Sequence, residues 1–143
     1  MTKTLFTTSC ALAAGLVVSA LAGPAHAASA CVEVRLSNVA PGRGSVMLAV
    51  WGGSDSFFKT PRTTKRVPAS DANMVVSLCG LEAKEIAVTV YQDLNDNGKL
   101  DTNLLGIPNE PTGASGKPSK FGPPTWDSTR VHLQDGVALE IRL

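Results

Sequence analysis

The sequence is poor in the residues on which many catalytic and binding sites depend. It has two histidines, three cysteines and an aromatic content of only 5%. Zinc is usually held by several His and Cys side chains, and this chain cannot supply them once its cysteines are paired. It also lacks the G-x-S-x-G motif that presents a nucleophilic serine in many hydrolases. We therefore expect no catalytic residues, and the alternation around His132 predicts a solvent-facing side chain.

An excess of charge of either sign is also missing. Thirteen Lys and Arg residues face twelve Asp and Glu residues, for a formal net charge of +1. Proteins that bind nucleic acid show a clustered basic excess. The basic stretch Lys59–Arg66 has little aromatic interleaving and predicts a solvated strand or loop. These features argue against nucleic acid as a partner.

The only long apolar run lies near the start of the chain. Lys3 supplies a positive charge, Ala11–Ala22 is apolar, and Ala25–Ala27 forms a small-x-small cleavage site. This order is typical of a secretory signal peptide. The run is shorter than the roughly 20 residues needed to cross a bilayer. We expect a leader over residues 1–27, one domain over residues 28–143, a periplasmic or secreted location, and no membrane span after cleavage.

Two cysteines remain after the predicted cleavage, Cys31 and Cys79. Exported proteins meet oxidising conditions, so an even pair indicates one disulfide. Two buried free thiols are the alternative. The strand parity places both residues away from the central core, which predicts a bridge between strand ends.

The domain shows strand alternation and turn signals without helical periodicity. Five segments alternate with the period of a β-strand. A sixth, Ser45–Trp51, is apolar on both parities and predicts a central strand, and one shorter segment is a possible edge strand. The segments are Val32–Leu36, Ser45–Trp51, Thr63–Val67 (the edge strand), Met74–Cys79, Ile86–Tyr91, Val131–Leu133 and Val137–Leu143. Their spacing predicts a single all-β sandwich of about seven strands, with a two-residue hairpin at Asp135–Gly136.

A long polar segment, Asp93–Pro124, interrupts this pattern between the last strands. Loops of such length are usually functional or disordered. Its first residues follow the D-x-[DN]-x-[DN]-G pattern of calcium-loading loops, in which closely spaced side-chain and backbone oxygens surround the ion. The candidate ligands are the side chains of Asp93, Asn95, Asn97 and Asp101 and the backbone carbonyl of Lys99. The candidate cofactor is therefore Ca²⁺.

Two observations separate this loop from an EF-hand. Leu104 stands where the bidentate glutamate would be, and the flanking residues predict strand and coil. Glu110 could complete a site of a different shape. The alternative is a purely structural turn, in which Asn and Asp side chains bond their own backbone.

The segment Ala87–Asp101 resembles the signature of a bacterial family, domain of unknown function 2141. Gly106–Pro111 and Phe121–Pro124 continue the resemblance at matching spacing. The resemblance implies an exported sandwich of prealbumin-like or Ig-like type without an assigned activity. Gln92 departs from the family, whose members often carry His there, so a histidine-assisted metal site is not expected.

Two functional hypotheses follow. The first is a non-enzymatic envelope module that binds a divalent cation, a small ligand or an envelope protein through the Asp93–Pro124 segment. The second is a hydrolase-like enzyme that uses loop carboxylates such as Asp101 and Glu110. An enzyme would show a concave pocket with convergent acids. The aromatic residues Trp51, Tyr91 and Trp126 could line a ligand surface or fill the core.

Overall fold

The computed structural model describes residues 29–119 and 122–143. The predicted leader, residues 1–27, and Phe121 in the family signature lie outside these residues. The described part contains eight strands and one short helix. In chain order they are β1 Ala30–Ser37, β2 Ser45–Trp51, β3 Thr63–Pro68, β4 Asn73–Leu81, β5 Glu85–Asp93, β6 Thr112–Ala114, α1 Trp126–Thr129, β7 Val131–His132 and β8 Val137–Arg142.

The strands form two sheets, which confirms the predicted all-β sandwich. One sheet has the order β4-β1-β8, and the other has the order β3-β2-β5-β6, with β7 also paired to β5. The inner faces supply one apolar core, because alternate residues of a strand point to the same face. Its largest fully buried members include Leu48, Ile86 and Ile141. No helix in the described part of the chain is long and apolar enough to cross a membrane.

The disulfide prediction is confirmed. Cys31 and Cys79 are bonded across the neighbouring strands β1 and β4, with Cα atoms 4.0 Å apart. The register of this strand pair shifts between Ala30 and Val32, where Cys31 lies. Cys79 is exposed and Cys31 half-buried, so the bridge lies outside the apolar core, as the strand parity indicates.

The predicted hairpin at Asp135–Gly136 is wrong. β7 pairs with β5 of one sheet, whereas β8 pairs in parallel with β1 of the other. The turn therefore crosses between sheets. Its anchor is Cys31, whose N–H donates to Asp135 Oδ1 at 2.9 Å and whose carbonyl accepts from Gly136 N at 2.8 Å. Local turn chemistry predicted the bend, but long-range pairing decided where the next strand went.

The polar segment after β5 also has secondary structure that the sequence did not indicate. β6 extends the second sheet by pairing with β5, and Thr102 forms an isolated bridge with Pro108. Gly113 lets β6 lie close to β8, since a Cβ there would come within 2.5 Å of the Arg142 carbonyl oxygen. A strand of three residues with a glycine at its centre was too short to recognise by periodicity.

Candidate functional site

The Asp93–Asp101 turn begins with a buried carboxylate at the end of β5. Asp93 is 0% exposed. Its Oδ1 accepts the backbone N–H of Asn97 at 3.0 Å, and its Oδ2 accepts that of Gly98 at 2.7 Å. Gly98 has a φ of +80°, which glycine adopts without steric cost. The carboxylate therefore folds the following residues back over the end of the strand.

The other predicted side chains converge on Asp101. Asn95 Nδ2 donates to Asp101 Oδ2 at 2.7 Å, and Asn97 Nδ2 donates to both oxygens of the same carboxylate at 3.0 and 3.1 Å. The N–H of Asn97 is also shared with Asn95 Oδ1 at 3.1 Å. Lys99 donates its backbone N–H to Asn97 Oδ1 at 2.8 Å. The structure thus brings together all five residues that the sequence singled out.

Glu110 closes the turn from the far side of the loop. It is 7% exposed, and its two carboxylate oxygens accept the backbone N–H groups of Leu94 at 2.8 Å and Asp101 at 3.0 Å. Asn109 N donates to the Asp101 carbonyl oxygen at 2.9 Å. Glu110 therefore ties both ends of the turn together. The sequence marked Glu110 only as an acid in the loop, because nothing local shows which distant amides it meets.

Asp96 points out of the turn toward β3. Its Oδ1 lies 2.7 Å from Arg66 Nη2, while Arg66 Nε donates to Ser45 Oγ at 3.0 Å. Hydrogen bonding by Ser45 and then by Arg66 lowers the pKa of the Asp96 carboxyl. The sequence did not use Asp96, and it placed Arg66 in a solvated basic stretch. Both side chains are about half exposed, so this pair contributes little to stability.

In the described part of the chain, three carboxylates at the turn lack the kind of cationic partner that Asp96 has. Within the described residues, no Lys, Arg or His forms an ion pair with Asp93, Asp101 or Glu110. The pKa of the Tyr91 phenol is raised by burial first, and then by the negative charges of Asp93 and Glu110. The turn is therefore a place where a positive charge would be stabilised.

The aromatic side chains serve two different purposes. Trp51 is 7% exposed and packs edge-on against Phe57, which in turn contacts Trp126. The Trp51 indole N–H donates to Thr89 Oγ1 at 2.9 Å. This cluster anchors the segment after β2 on the outer face of the second sheet. Tyr91, by contrast, lines an open cavity.

This outer cavity has a volume of about 710 Å³. Its floor is the outer face of β5 and β6, including Tyr91 and Thr112. One wall is the loop from Leu100 to Pro108, and the others are Phe58 and the stretch Gly122–Pro124. In the part of the chain that the structure describes, none of the residues lining this cavity is Asp, Glu, Lys, Arg or His. The sequence indicated the aromatic floor but not the cavity, which forms only when separated loops meet.

His132 lies on the surface, as the alternation predicted. Its side chain is 80% exposed, and its Nδ1 is 3.7 Å from Glu85 Oε1. Arg130 makes the shorter contacts to Glu85, at 3.0 Å. Glu85, Arg130 and His132 form a polar cluster at the surface where β5 pairs with β7.

Comparison with known proteins supplies the family. A family model described as "Uncharacterized protein conserved in bacteria (DUF2141)" matches residues 34–140, which include the second half of β1, all of β2 to β7 and most of β8. No curated protein and no solved structure matches the chain. Because the model covers most of the sequence, the resemblance seen in the Ala87–Asp101 signature is confirmed, and the chain belongs to this uncharacterized bacterial family, domain of unknown function 2141.

Proposed function

We propose that this protein is an exported, non-enzymatic envelope module whose Asp93–Asp101 turn takes up Ca²⁺. The observation that supports the proposal is the convergence of four oxygen-bearing side chains without a cationic partner among the described residues. Asp93 and Asn95 share one N–H, and Asp101 is within 3.1 Å of the amide groups of both Asn95 and Asn97. Carboxylate and amide oxygens are the ligands that Ca²⁺ prefers.

The donor set fits a weak site. Each carboxylate oxygen has a second lone pair, so Asp93 can accept its N–H groups and still face an ion. The side-chain amides of Asn95 and Asn97 would rotate to turn their oxygens toward the ion. No three His, Cys, Asp or Glu residues in the described part form a metal-binding group, and Leu104 is fully exposed. We therefore expect an affinity in the range of about 10⁻⁴–10⁻³ M that is typical of extracellular modules.

No observation favours the hydrolase alternative. Both oxygens of Glu110 already accept backbone N–H groups, and Asp101 accepts side-chain amides. The outer cavity contains neither residue. A general acid or base must reach its substrate within hydrogen-bonding distance, and these carboxylates are turned toward the loop's own backbone and amides. The non-enzymatic role is therefore the simpler proposal.

Export is supported by the leader-like start of the sequence together with the disulfide. Disulfides persist in oxidising compartments such as the periplasm, and Cys31–Cys79 is formed in the folded domain. Intact-mass measurement of protein from the periplasm or medium tests this part. We expect the mass of a chain that begins after Ala27. Recovery of the full-length chain in the membrane fraction would contradict it.

Thermal unfolding with Ca²⁺ against chelator tests the cation site. At ten times the dissociation constant, the bound ion should add about 1.4 kcal/mol to the free energy of unfolding. Asp101→Ala should abolish the shift, since Asp101 lies at the point of convergence. Asp96→Ala is the matched control, because its carboxylate faces Arg66, and it should keep the shift. If the wild type melted at the same temperature in Ca²⁺ and in chelator, the turn would have a structural role only and would not be a cation site.

A further inference from the structure

We propose that the outer cavity binds an uncharged molecule with a linear aliphatic chain. This site is separate from the cation ligands and goes beyond the proposed function. The cavity lies on the outer face of the second sheet, away from the core, and its volume of about 710 Å³ falls in the range of small-molecule sites. It is bounded by Phe58, Tyr91, Leu105, Ile107 and Pro123 among others.

The distribution of exposed hydrophobic side chains supports a ligand at this place. Among described residues with large, exposed apolar side chains, Phe58 is 52% exposed, Leu105 83% and Ile107 56%. All three line the cavity, as does Leu100, which is 37% exposed. Covering these side chains is favourable in proportion to the apolar area removed from water. Scattered exposed residues need no explanation, but a group around one concavity marks an interaction site.

The chemistry of the lining selects the class of ligand. None of the described residues that line the cavity is charged at neutral pH, so a charged group inside would lose its hydration without a counter-charge from them. The polar side-chain groups of these described residues are three hydroxyls, and the hydroxyl of Thr89 already accepts the Trp51 indole N–H. Sugars would leave most of their hydroxyls without partners. A neutral aliphatic chain is complementary to this surface.

Peptides are a poorer match than an aliphatic chain. Proline-rich peptides dock in aromatic-lined grooves, but among the described residues only two that line the cavity, Phe58 and Tyr91, are aromatic. Leu100, Leu105 and Ile107 supply aliphatic walls. Tyr91 lies on the cavity floor, and its phenol hydroxyl is a hydrogen-bond donor. It can therefore donate to a hydroxyl or carbonyl oxygen at one end of the chain.

Binding of a series of n-alkanols tests the proposal. Displacement of the uncharged fluorophore N-phenyl-1-naphthylamine would report binding of hexanol through dodecanol to the purified protein. Each added methylene should tighten the dissociation constant by about fourfold, until the cavity is full. The measurement is made in chelator, so that its outcome is independent of the cation site. A dissociation constant that does not change with chain length would overturn the proposal.

Charged substitutions locate the binding site. Ile107→Asp and Leu105→Asp place a carboxylate at the cavity wall and should weaken dodecanol binding at least about tenfold, which corresponds to 1.4 kcal/mol. Leu104→Asp is the matched control, because Leu104 is fully exposed in the same loop and does not line the cavity. Far-ultraviolet circular dichroism checks that each variant is folded. Equal weakening by Leu104→Asp, or no weakening by either wall variant in folded protein, would contradict the assignment.

Discussion

The role of Glu110 in holding the loop makes the sharpest prediction about stability. Its side chain is buried, and each carboxylate oxygen accepts one backbone N–H, from Leu94 and from Asp101. Glu110→Ala removes both bonds and leaves two amides facing a space vacated by the side chain. Hydrogen bonds to charged groups contribute roughly 1.5–3 kcal/mol each. We take the lower value for each bond, because water can enter the exposed loop, and expect a loss of about 3 kcal/mol.

Glu110→Gln separates the two bonds. Glutamine keeps one oxygen acceptor, but its NH₂ group must face an N–H donor at the other position. We therefore expect about half the loss of the alanine variant, roughly 1.5 kcal/mol. Glu82→Ala is the control, since Glu82 is an exposed residue on the same domain. Such surface substitutions usually change stability by less than about 0.5 kcal/mol.

Urea-induced unfolding monitored by tryptophan fluorescence measures these differences. The variants should shift the midpoint without changing the slope with denaturant, because the surface exposed on unfolding is the same. The order of stability should be wild type, then Glu110→Gln, then Glu110→Ala. A Glu110→Ala variant within about 0.5 kcal/mol of wild type would show that the two N–H groups do not depend on this carboxylate. If Glu110→Gln and Glu110→Ala lost the same free energy of unfolding, the inference that each hydrogen bond contributes about half of the loss would be refuted.

Three further predictions concern the rest of the domain. Reduction of the Cys31–Cys79 bridge should cost about 4 kcal/mol on the loop-entropy model, with a sequence separation of 48; a double serine variant should not respond to reductant. Gly44→Ala should be at least about 2 kcal/mol more destabilising than Gly42→Ala. Both glycines have positive φ, but only at Gly44 would a Cβ collide with backbone, 1.8 Å from a carbonyl oxygen at the end of β5. Equal losses in the free energy of unfolding for Gly44→Ala and Gly42→Ala would exclude this collision. Tyr91 is the only tyrosine, so tyrosinate absorbance should show its pKa above 10.0. Since that pKa is raised in the fold, the associated stability is complete below pH 10.0 and is lost as the pH rises through the folded value. An unfolded control that titrates at the same pH would contradict this.

The sequence by itself determined the sandwich and most of its strands. Alternation with period two identified β1, β4, β5 and β8 because one face of each strand lies against a common core, and an apolar run identified β2. The same parity placed Cys31 and Cys79 outside that core, where the structure has them bonded. The D-x-[DN]-x-[DN]-G pattern indicated which residues would come together in the turn, since Asx side chains act on backbone only a few residues away. These were all local consequences of residue order.

Tertiary structure decided what depends on distant contacts. β8 pairs with β1 instead of forming a hairpin with β7, because strand partners are chosen by the whole core and not by the intervening turn. Glu110 meets amides nine and 16 residues away, and its role as a tie could not be recognised from its neighbours in sequence. The outer cavity needs Phe58, Tyr91, Ile107 and Pro123 to meet from four separate stretches of chain. Such a shape arises only from packing, since no periodicity relates residues so far apart.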